Sequence, residues 1–422
     1  MAEKVLILSY YFPPMNGPAT QHPLWFFRFL PEHGFETVAL TSSIYSGENT
    51  DPASTLVSSN VYRLPEGQWS GKLASLLSAA ELHIQIRMGL WEHGFIWSWF
   101  ARRKAVKILK REAVAAIVST SPSLAGHWTA YRLKKKFPHI RWIADFQDPL
   151  VGNPFRRTKP AFRGMESWME REFFAAADIL SANTNTVAAM WQDRYPQYRD
   201  KIVTTWGGFD AEEAMSARPI PAGRPARILS HVGAVYGGRL SNPFLDSLYR
   251  LWQQNQLRPG DLTVEFFGSN DFSTLTSPEN FEKLCAAGIV QVRNTYVPRQ
   301  EALRVCEEAD FLFVLDVTYP HNTKFQVPSK LFDYIRIGRP ILAITPKGSP
   351  TEYILAGSGI PHVTIDTEAP SEAYDKGILR LLEMSQTPQQ PSQWFLDTFD
   401  ARQLAGGIAK AIRHTPALTP SR

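Results

Sequence analysis

Residues 327–343 read VPSKLFDYIRIGRPILA. Pro328 and Ser329 are typical of the first positions of a helix, and apolar residues recur after them at helical spacing. Gly338 is typical of a helix end, and residues 341–344 form a short apolar run of the kind found in buried strands. The stretch therefore predicts a helix that Pro328 and Ser329 open, followed at once by a strand of a parallel sheet.

Short apolar runs separated by helical patterns continue this arrangement in both directions. Such alternation is typical of doubly wound parallel sheets, which bind ligands at the carboxyl ends of their strands. The predicted strands are 5–9, 37–41, 115–119, 141–144, 179–182 and 202–205 in the first half, and 228–232, 262–267, 290–292, 311–315, 341–344 and 362–365 in the second.

The length of the chain and one proline-rich stretch predict two domains. A chain of 422 residues is too long for a single compact core. Prolines and glycines are dense between residues 219 and 225, as in a linker. We therefore expect an α/β protein with two Rossmann-like doubly wound domains. The predicted segments are 1–210 for the first domain, 211–227 for the linker, 228–385 for the second domain, and 386–422 for a closing helical segment that crosses back to the first.

Composition predicts a folded protein without a membrane span. The chain is 44% hydrophobic and 20% charged, as globular proteins are. No window approaches the roughly 20 apolar residues that a spanning helix needs, and the amino-terminal apolar run is too short for a signal peptide. The two cysteines, Cys285 and Cys306, lie in helix-like apolar segments and read as reduced thiols. We expect a cytoplasmic protein, soluble or peripheral on the inner face of the membrane.

The basic residues are concentrated in the first half of a chain whose net charge is +5. Between residues 69 and 100, just before the first cluster, tryptophan and leucine are frequent, which suits a helix resting on anionic lipid. Solvated helix faces and a core helix are the alternatives. An anionic membrane surface is therefore a predicted partner, and nucleic acid is not. The clusters are Arg102, Arg103, Lys104, Lys107, Lys110 and Arg111; Arg132, Lys134, Lys135, Lys136 and Arg141; and Arg156, Arg157, Lys159 and Arg163.

Candidate site residues in the first half follow predicted strands. Gly17 lies in the loop after the first strand, where a glycine lets backbone approach a ligand; a structural turn is the alternative. Asp145 and Asp148 follow the strand at 141–144, and we expect one of them, Asp148, to contact substrate, against a turn or helix-capping role. His127 follows another strand and could bond a sugar hydroxyl, with a structural histidine as the alternative.

Candidate residues in the second half predict a diphosphate site. Gly233 and Gly238 belong to a glycine-rich loop that ends at Arg239, and exposed N–H groups with a forked cation suit a diphosphate. A plain strand-to-helix turn is the alternative there. At the start of the next candidate helix, free N–H groups and Lys330 could hold phosphate oxygens. Asp333 lies one turn on and could accept ribose hydroxyls, with a surface salt bridge to Lys330 as the alternative.

Taken in order, these stretches resemble the landmarks of glycosyltransferase family 4 and its relatives. The resemblance spans nearly the whole chain, and the order and spacing of the motifs are more specific than any one motif. It is carried by residues 10–14 with Gly17, 119–122 with His127, 145–149, 207–210, 233–239 and 328–334.

The resemblance implies a GT-B fold, in which two domains face each other across a cleft, and retaining transfer of a sugar from a nucleotide diphosphate donor. It implies no cofactor and no metal. The acceptor would be a glycan or a lipid-linked glycan of polysaccharide biosynthesis. By position, Lys330, Arg239, His127 and Asp148 would be catalytic, and the donor would bind Gly17, Gly233, Gly238, Tyr296, Val297, Pro328, Ser329, Lys330, Leu331 and Asp333, with Tyr296 and Val297 near the nucleobase.

The chain departs from the family pattern at two places. Members commonly have an arginine soon after the glycine equivalent to Gly233, where this chain has Ala234. They also carry a glutamate before the phosphate-binding helix, where this chain has Phe325 and Gln326. These departures favour the alternative of a noncatalytic GT-B scaffold in a polysaccharide pathway. A nucleotide-sugar epimerase is a second alternative, because it would share the phosphate-binding helix.

Overall fold

The chain forms two compact units, each built on its own parallel sheet. The first unit comprises Met1–Asp210 and Asp400–Arg422, and the second comprises Ala211–Phe399. The computed structural model describes residues 3–15, 17–43, 58–66, 68–88, 94–153, 159–220, 223–224, 226–235, 239, 241–295, 299–316 and 323–414.

The first unit contains a seven-stranded sheet in the order β3-β2-β1-β4-β5-β6-β7, with all neighbours parallel. Its strands are β1 (Glu3–Leu8), β2 (Phe35–Ser42), β3 (Val61–Leu64), β4 (Val114–Thr120), β5 (Arg141–Phe146), β6 (Ile179–Ala182) and β7 (Ile202–Thr204). Its helices up to this point are α1 (Gln21–Phe29), α2 (Gln68–Met88), α3 (Phe95–Arg111), α4 (Leu124–Lys136), α5 (Pro160–Ala176) and α6 (Asn185–Arg194).

The second unit contains a six-stranded sheet in the order β10-β9-β8-β11-β12-β13, again with parallel neighbours. Its strands are β8 (Arg227–Val232), β9 (Leu262–Phe267), β10 (Val290–Arg293), β11 (Phe311–Leu315), β12 (Ile341–Ile344) and β13 (His362–Ile365). Its helices are α7 (Asn242–Gln253), α8 (Pro278–Ala286), α9 (Arg299–Glu307), α10 (Lys330–Ile337), α11 (Pro350–Gly357), α12 (Ser371–Glu383) and α13 (Gln393–Phe399).

The last helix, α14 (Ala401–His414), belongs to the first unit. It packs against α1, and its first residue, Ala401, donates a backbone hydrogen bond to the carbonyl of Phe209 at 2.9 Å. Residues 386–399 instead lie with the second unit. The closing helical segment predicted over residues 386–422 therefore contains two helices, α13 and α14, which are separated at Asp400 where the chain passes from the second unit to the first.

The central strands are mostly apolar because helices cover both faces of each sheet. In β1, Val5 to Leu8 are fully buried, and all five residues of β11 are buried as well. This is why uninterrupted apolar runs, rather than alternating ones, marked the strands in the sequence.

All twelve predicted strands occur, each within two residues of its expected ends. The strand β3 was not predicted. It is a four-residue edge strand that contains Arg63, and three of its four residues are only half-buried, so it lacks the apolar run of a central strand. The helix expected to open at Pro328 and Ser329 begins at Lys330, with Ser329 as its N-cap. Among the described residues, no helix combines the length and the hydropathy needed to cross a membrane.

Candidate functional site

The candidate site begins at the carboxyl end of β8, in the middle of the second sheet. Gly233 follows the strand directly, with φ +127°, a region that side chains other than glycine rarely adopt. Its N–H donates to the carbonyl of Phe267 at the end of β9, at 2.8 Å. The glycine therefore turns the chain at the sheet edge where parallel sheets bind ligands.

The side chain of Lys330, at the start of α10, reaches this same strand end. A Cβ on Gly233 would lie 2.6 Å from Lys330 Nζ, so only a glycine leaves room for the ammonium group. The helix is fixed against β8 by Tyr334, whose hydroxyl accepts a hydrogen bond from Val232 N–H at 3.0 Å. The structure thus brings together Gly233 and Lys330, which lie almost a hundred residues apart in the sequence.

His231 lies beside the lysine and is fully buried. Its Nδ1 is 2.9 Å from the carbonyl oxygen of Phe313, which can only accept, so Nδ1 carries the ring proton. Its Nε2 is then an acceptor for Lys330 Nζ, at 3.1 Å. Burial, together with the charge of Lys330, lowers the pKa of His231 well below its usual value. The imidazole is therefore neutral and holds the lysine in place.

Lys330 is an unusually acidic lysine. Burial, followed by the nearby positive charge of Arg239, lowers the pKa of Lys330 to about 7. An anion placed beside the amine would offset both effects and favour the charged form. The strand end therefore offers a cationic group that is poised to bind an anion such as a phosphate.

This pKa predicts that donor binding depends on pH. A diphosphate favours the charged lysine, which the free protein loses as the pH rises through 7. The dissociation constant of a nucleoside diphosphate sugar should therefore rise about tenfold per pH unit above 7. Isothermal titration calorimetry from pH 6 to pH 9 would measure it. In the neutral variant Lys330→Met this dependence should be absent, and a parallel pH dependence in both proteins would contradict the assignment.

Asp333 lies one turn after Lys330 and forms an ion triad. Arg299, the first residue of α9, lies 3.2 Å from each carboxylate oxygen of Asp333 and binds Glu213 through two bonds of 2.9 and 2.8 Å. Burial raises the pKa of Asp333, and the arginine counteracts that rise. Burial would also lower the pKa of Arg299, but the two carboxylates together raise it. Within the described chain no ion pair joins Lys330 to Asp333, so the surface-bridge alternative is wrong.

The other donor-side candidates have mixed outcomes. Arg239 is half-buried and close enough to lower the pKa of Lys330, so it belongs to the same cationic site. Leu331 and Pro328 are buried beside Ser329, whose side chain makes no capping hydrogen bond within the described residues. Three candidates, Gly238, Tyr296 and Val297, fall outside the described residues.

Three candidates lie in the first unit. Gly17, with φ +134°, is half-buried and precedes a short 3-10 turn that leads into α1. His127 is fully buried, and its Nδ1 lies 2.7 Å from the hydroxyl of Ser119. Burial lowers the pKa of His127 to about 3. These contacts favour the structural alternative for His127, because its ring is enclosed by the core.

The two aspartates after β5 differ in their surroundings. Asp145 is fully buried and accepts hydrogen bonds from His22 Nδ1 at 3.0 Å and from the hydroxyl of Ser181 at 2.8 Å. Asp148 is half-buried in the following loop. Asp148 is therefore the more accessible of the two aspartates, while Asp145 positions His22, of which 6% of the side chain remains exposed.

The site residues predicted from the sequence did not include His231, Arg299, Glu213 or His22. His231 was detectable in principle, since it lies near the carboxyl end of a predicted strand, where ligand-binding residues are common. Arg299 and Glu213 are 86 positions apart and gave no local signal.

Several basic residues of the first two clusters line one common groove in the structure. Lys104 pairs with Glu66 at 3.1 Å, and Lys134 is buried against Asp178 at 2.7 Å, so the charge of each lysine is paired with a carboxylate. Other members of the first two clusters converge instead, on α3 and α4. In the third cluster, Arg156 and Arg157 fall outside the described residues.

Comparison with known proteins identifies the fold. No family model matches the chain, and no curated protein matches it by sequence. A UDP-forming α,α-trehalose-phosphate synthase from Burkholderia vietnamiensis is 12% identical with a TM-score of 0.61, over 98% of this chain and 100% of that one. HepE from Anabaena, solved with UDP-glucose, is 12% identical with a TM-score of 0.56, over 97% and 99%.

A third solved structure, the lipopolysaccharide outer core galactosyltransferase WaaB, is 13% identical with a TM-score of 0.57, over 97% of this chain and 99% of that one. At such identities the likeness shows the fold alone. The two parallel-sheet α/β domains share the GT-B fold of these solved structures, which confirms the fold class predicted from the sequence.

Proposed function

On this GT-B framework we propose that the chain is a retaining, metal-independent glycosyltransferase of the family 4 type. It would move a sugar from a nucleotide diphosphate donor to a glycan or lipid-linked acceptor. The observation that carries the proposal is the half-buried side chain of Lys330, whose ammonium group lies 3.1 Å from His231 beside the glycine turn at Gly233. A cation at the carboxyl end of a central parallel strand is suited to a phosphate group.

The chemistry of the site fits departure of a diphosphate. As the bond between the sugar and the diphosphate breaks, negative charge develops on the leaving oxygens. Lys330 and Arg239 offer positive charge to them, and the N–H groups at the start of α10 add the helix dipole. Such charge stabilisation needs no nucleophilic side chain. We propose that these groups of the protein supply the stabilisation that a divalent metal supplies in other transferases.

The ion triad supports a place for the ribose. Asp333 lies on the same helix face as Lys330, one turn further along α10. In a nucleotide the ribose is bonded directly to the diphosphate, so a diphosphate at Lys330 would place the ribose near Asp333. Binding of ribose hydroxyls to Asp333 would compete with the two 3.2 Å contacts from Arg299. These contacts are long for charged pairs, so the exchange would cost little.

Donor binding is the first experiment. We expect uridine, guanosine or adenosine diphosphate, or one of their sugars, to raise the melting temperature of the wild-type protein, because a ligand stabilises the state that binds it. The same compound should give no shift with Lys330→Met, whereas Lys347→Met should respond like the wild type. Lys347 is exposed near the end of β12 and serves as the matched control. No shift with any nucleotide would contradict the proposal.

Two alternatives have some support. The residues of the candidate donor site, Lys330, His231 and Asp333, all lie in the second unit. A nucleotide-sugar epimerase could use the same donor site, because it needs no acceptor. Conversion of the nucleotide sugar without an acceptor would favour that function. Ala234 and Phe325, which depart from the family pattern, would suit a noncatalytic scaffold. Retained partner binding without transfer or donor hydrolysis would favour the scaffold.

A cytoplasmic location and a role in polysaccharide biosynthesis belong to the same proposal. Both cysteines are free, as in a reducing compartment.

A further inference from the structure

Exposed apolar side chains are concentrated on one set of helices. Eight of the ten large hydrophobic residues that are exposed in the described chain lie on α2, α3 and α5 of the first unit. Leu76 is 69% exposed, and Trp99 and Trp168 are 47% and 42% exposed. Single exposed apolar residues are ordinary, but a contiguous group marks a surface that binds something apolar.

These helices enclose an apolar cavity of about 620 Å³ that is open to the surface. Its lining includes Leu77 and Ile84 of α2, Trp128 of α4, and Met165 and Trp168 of α5. Leu77 and Ile84 are 43% and 55% exposed. The cavity is therefore large enough for several methylene groups of a hydrocarbon chain and is lined by side chains that suit one.

Two polar side chains line the cavity, Glu81 and Gln85. Gln85 Nε2 donates to the Glu81 carboxylate at 2.9 Å, while Gln85 Oε1 has no hydrogen-bond partner among the described residues. The carboxylate of Glu81 accepts hydrogen bonds from the N–H groups of Phe95 and Ile96, at 2.8 and 3.0 Å. It thereby caps the first turn of α3 and fixes the corner between α2 and α3. The turn itself depends on Gly94, where φ is +98° and a Cβ would lie 2.6 Å from the Tyr10 ring. The cavity is thus a built feature with a largely apolar interior.

A cationic groove of about 380 Å³ follows the cavity along α3 and α4. Its cations are Arg102, Arg103 and Lys107 of α3 and Arg132 and Lys136 of α4. Among the described residues, none of these five forms an ion pair. The Arg132 guanidinium lies 5.8 Å from the centre of the Trp128 ring, and Arg103 lies 4.4 Å from the Trp99 ring. Tryptophan therefore joins the apolar and cationic parts of the surface.

The spacing of the two parts follows from the helices that form them. On α4, Arg132 follows Trp128 by four residues, or about 6 Å at 1.5 Å per residue. On α3, Arg102 follows Phe95 by seven residues, or about 10 Å. Both helices pass from the cavity to the groove in the same direction, so an apolar zone and a cationic zone lie side by side across both.

We propose that this surface binds an anionic phospholipid bilayer, with a hydrocarbon chain in the cavity and lipid phosphates in the groove. Hydrocarbon and phosphate lie next to each other in a lipid, as apolar cavity and unpaired cations do here. Tryptophan and arginine are side chains that settle at the boundary between hydrocarbon and water. Nucleic acid would match the groove but not the cavity. The inference is independent of the donor site, because all its residues lie in the first unit.

Vesicle flotation tests the proposal with the full chain. The wild type should float with vesicles of phosphatidylcholine and phosphatidylglycerol, and much less with phosphatidylcholine alone. The double variant Arg102→Ala/Lys107→Ala should lower the partition coefficient about thirtyfold, since each surface cation adds to the attraction of anionic lipid. The double variant Leu77→Ser/Ile84→Ser should lower it about tenfold.

Matched controls separate the proposed surface from general stickiness. Leu396 is an exposed apolar residue of the second unit, away from the proposed surface. Leu396→Ser should float like the wild type. The exposed pair Lys347 and Lys376 gives the charge control, Lys347→Ala/Lys376→Ala. All these positions are exposed or half-buried, and unchanged circular dichroism melting would show that the variants are folded.

Three results would overturn the proposal. The first is a wild type that floats with neither kind of vesicle. The second is equal flotation of the wild type and both groove and cavity variants. The third is a dimer in sedimentation that Leu77→Ser/Ile84→Ser converts to a monomer without any effect on flotation, which would make the face an interface between copies.

Discussion

Replacement of Lys330 by methionine is expected to lower kcat for sugar transfer by about 10²–10³-fold, the usual loss when one preorganised charge-stabilising donor is removed. Methionine is unbranched like lysine and one atom shorter, and it carries no charge. His231 then loses the partner at 3.1 Å from its Nε2, but it stays bonded to the Phe313 carbonyl. The loss should therefore appear in turnover rather than in folding. Transfer of a radiolabelled sugar under saturating donor would measure it.

The same variant is expected to melt at a higher temperature than the wild type. Burial lowers the pKa of Lys330 from 10.5 to about 7, so the folded protein holds the charge unfavourably. Between these two pH values the unfolded chain binds more protons, and the stability of the wild type rises with pH. The advantage of Lys330→Met should thus be largest below pH 7 and shrink toward pH 10.5. Unchanged turnover would remove the lysine from the mechanism, and a large loss of stability would make it a structural residue.

Substitution of Gly233 by alanine should lower transfer about a hundredfold by a different route. The new Cβ would lie 2.6 Å from Lys330 Nζ, so the ammonium would have to leave the strand end. A side chain at φ +127° adds backbone strain of about 1–3 kcal/mol, which lowers stability as well. Turnover per folded molecule and the melting temperature should both fall.

Gly288→Ala is the matched control for Gly233→Ala. Gly288 also has a positive φ, +74°, but no heavy atom among the described residues lies within 4 Å of its would-be Cβ. It should therefore lower the melting temperature while transfer is unaffected. In the Lys330→Met background, Gly233→Ala should add little further loss, because both changes remove the same ammonium group. Equal losses of transfer in the two glycine variants, or additive losses in the double variant, would contradict this assignment.

The elements of the fold were predictable because their signals are local. Each central strand is an apolar run that helices cover on both sides, and the sequence pattern alone carries that information. The edge strand β3 was missed because Arg63 and half-buried neighbours give it no such run. The helix start was one or two residues off, since Ser329 is the N-cap rather than the first helical residue.

The site was only partly predictable, because its decisive contacts join distant segments. Lys330 and Asp333 were correctly placed on one helix face, at the spacing of a single turn. The sequence could not show that Lys330 meets His231, or that Arg299 holds Asp333. Nor could it distinguish a ligand-binding histidine from His127, whose burial depends on how α4 packs on the sheet. Such outcomes depend on tertiary packing rather than on any local pattern.

The glycines at the ends of β8 and β9 also bear on how this chain can diverge. A Cβ on Gly268 would lie 2.7 Å from the carbonyl oxygen of Gly233, and a Cβ on Gly233 would meet Lys330. A substitution at Gly233 is therefore easier to tolerate once Lys330 has lost its function, whereas the backbone of residue 233 constrains Gly268 whether or not the lysine functions. In descendants of this gene, a bulky residue at position 233 would mark a lineage that kept the fold and lost anion binding at this site.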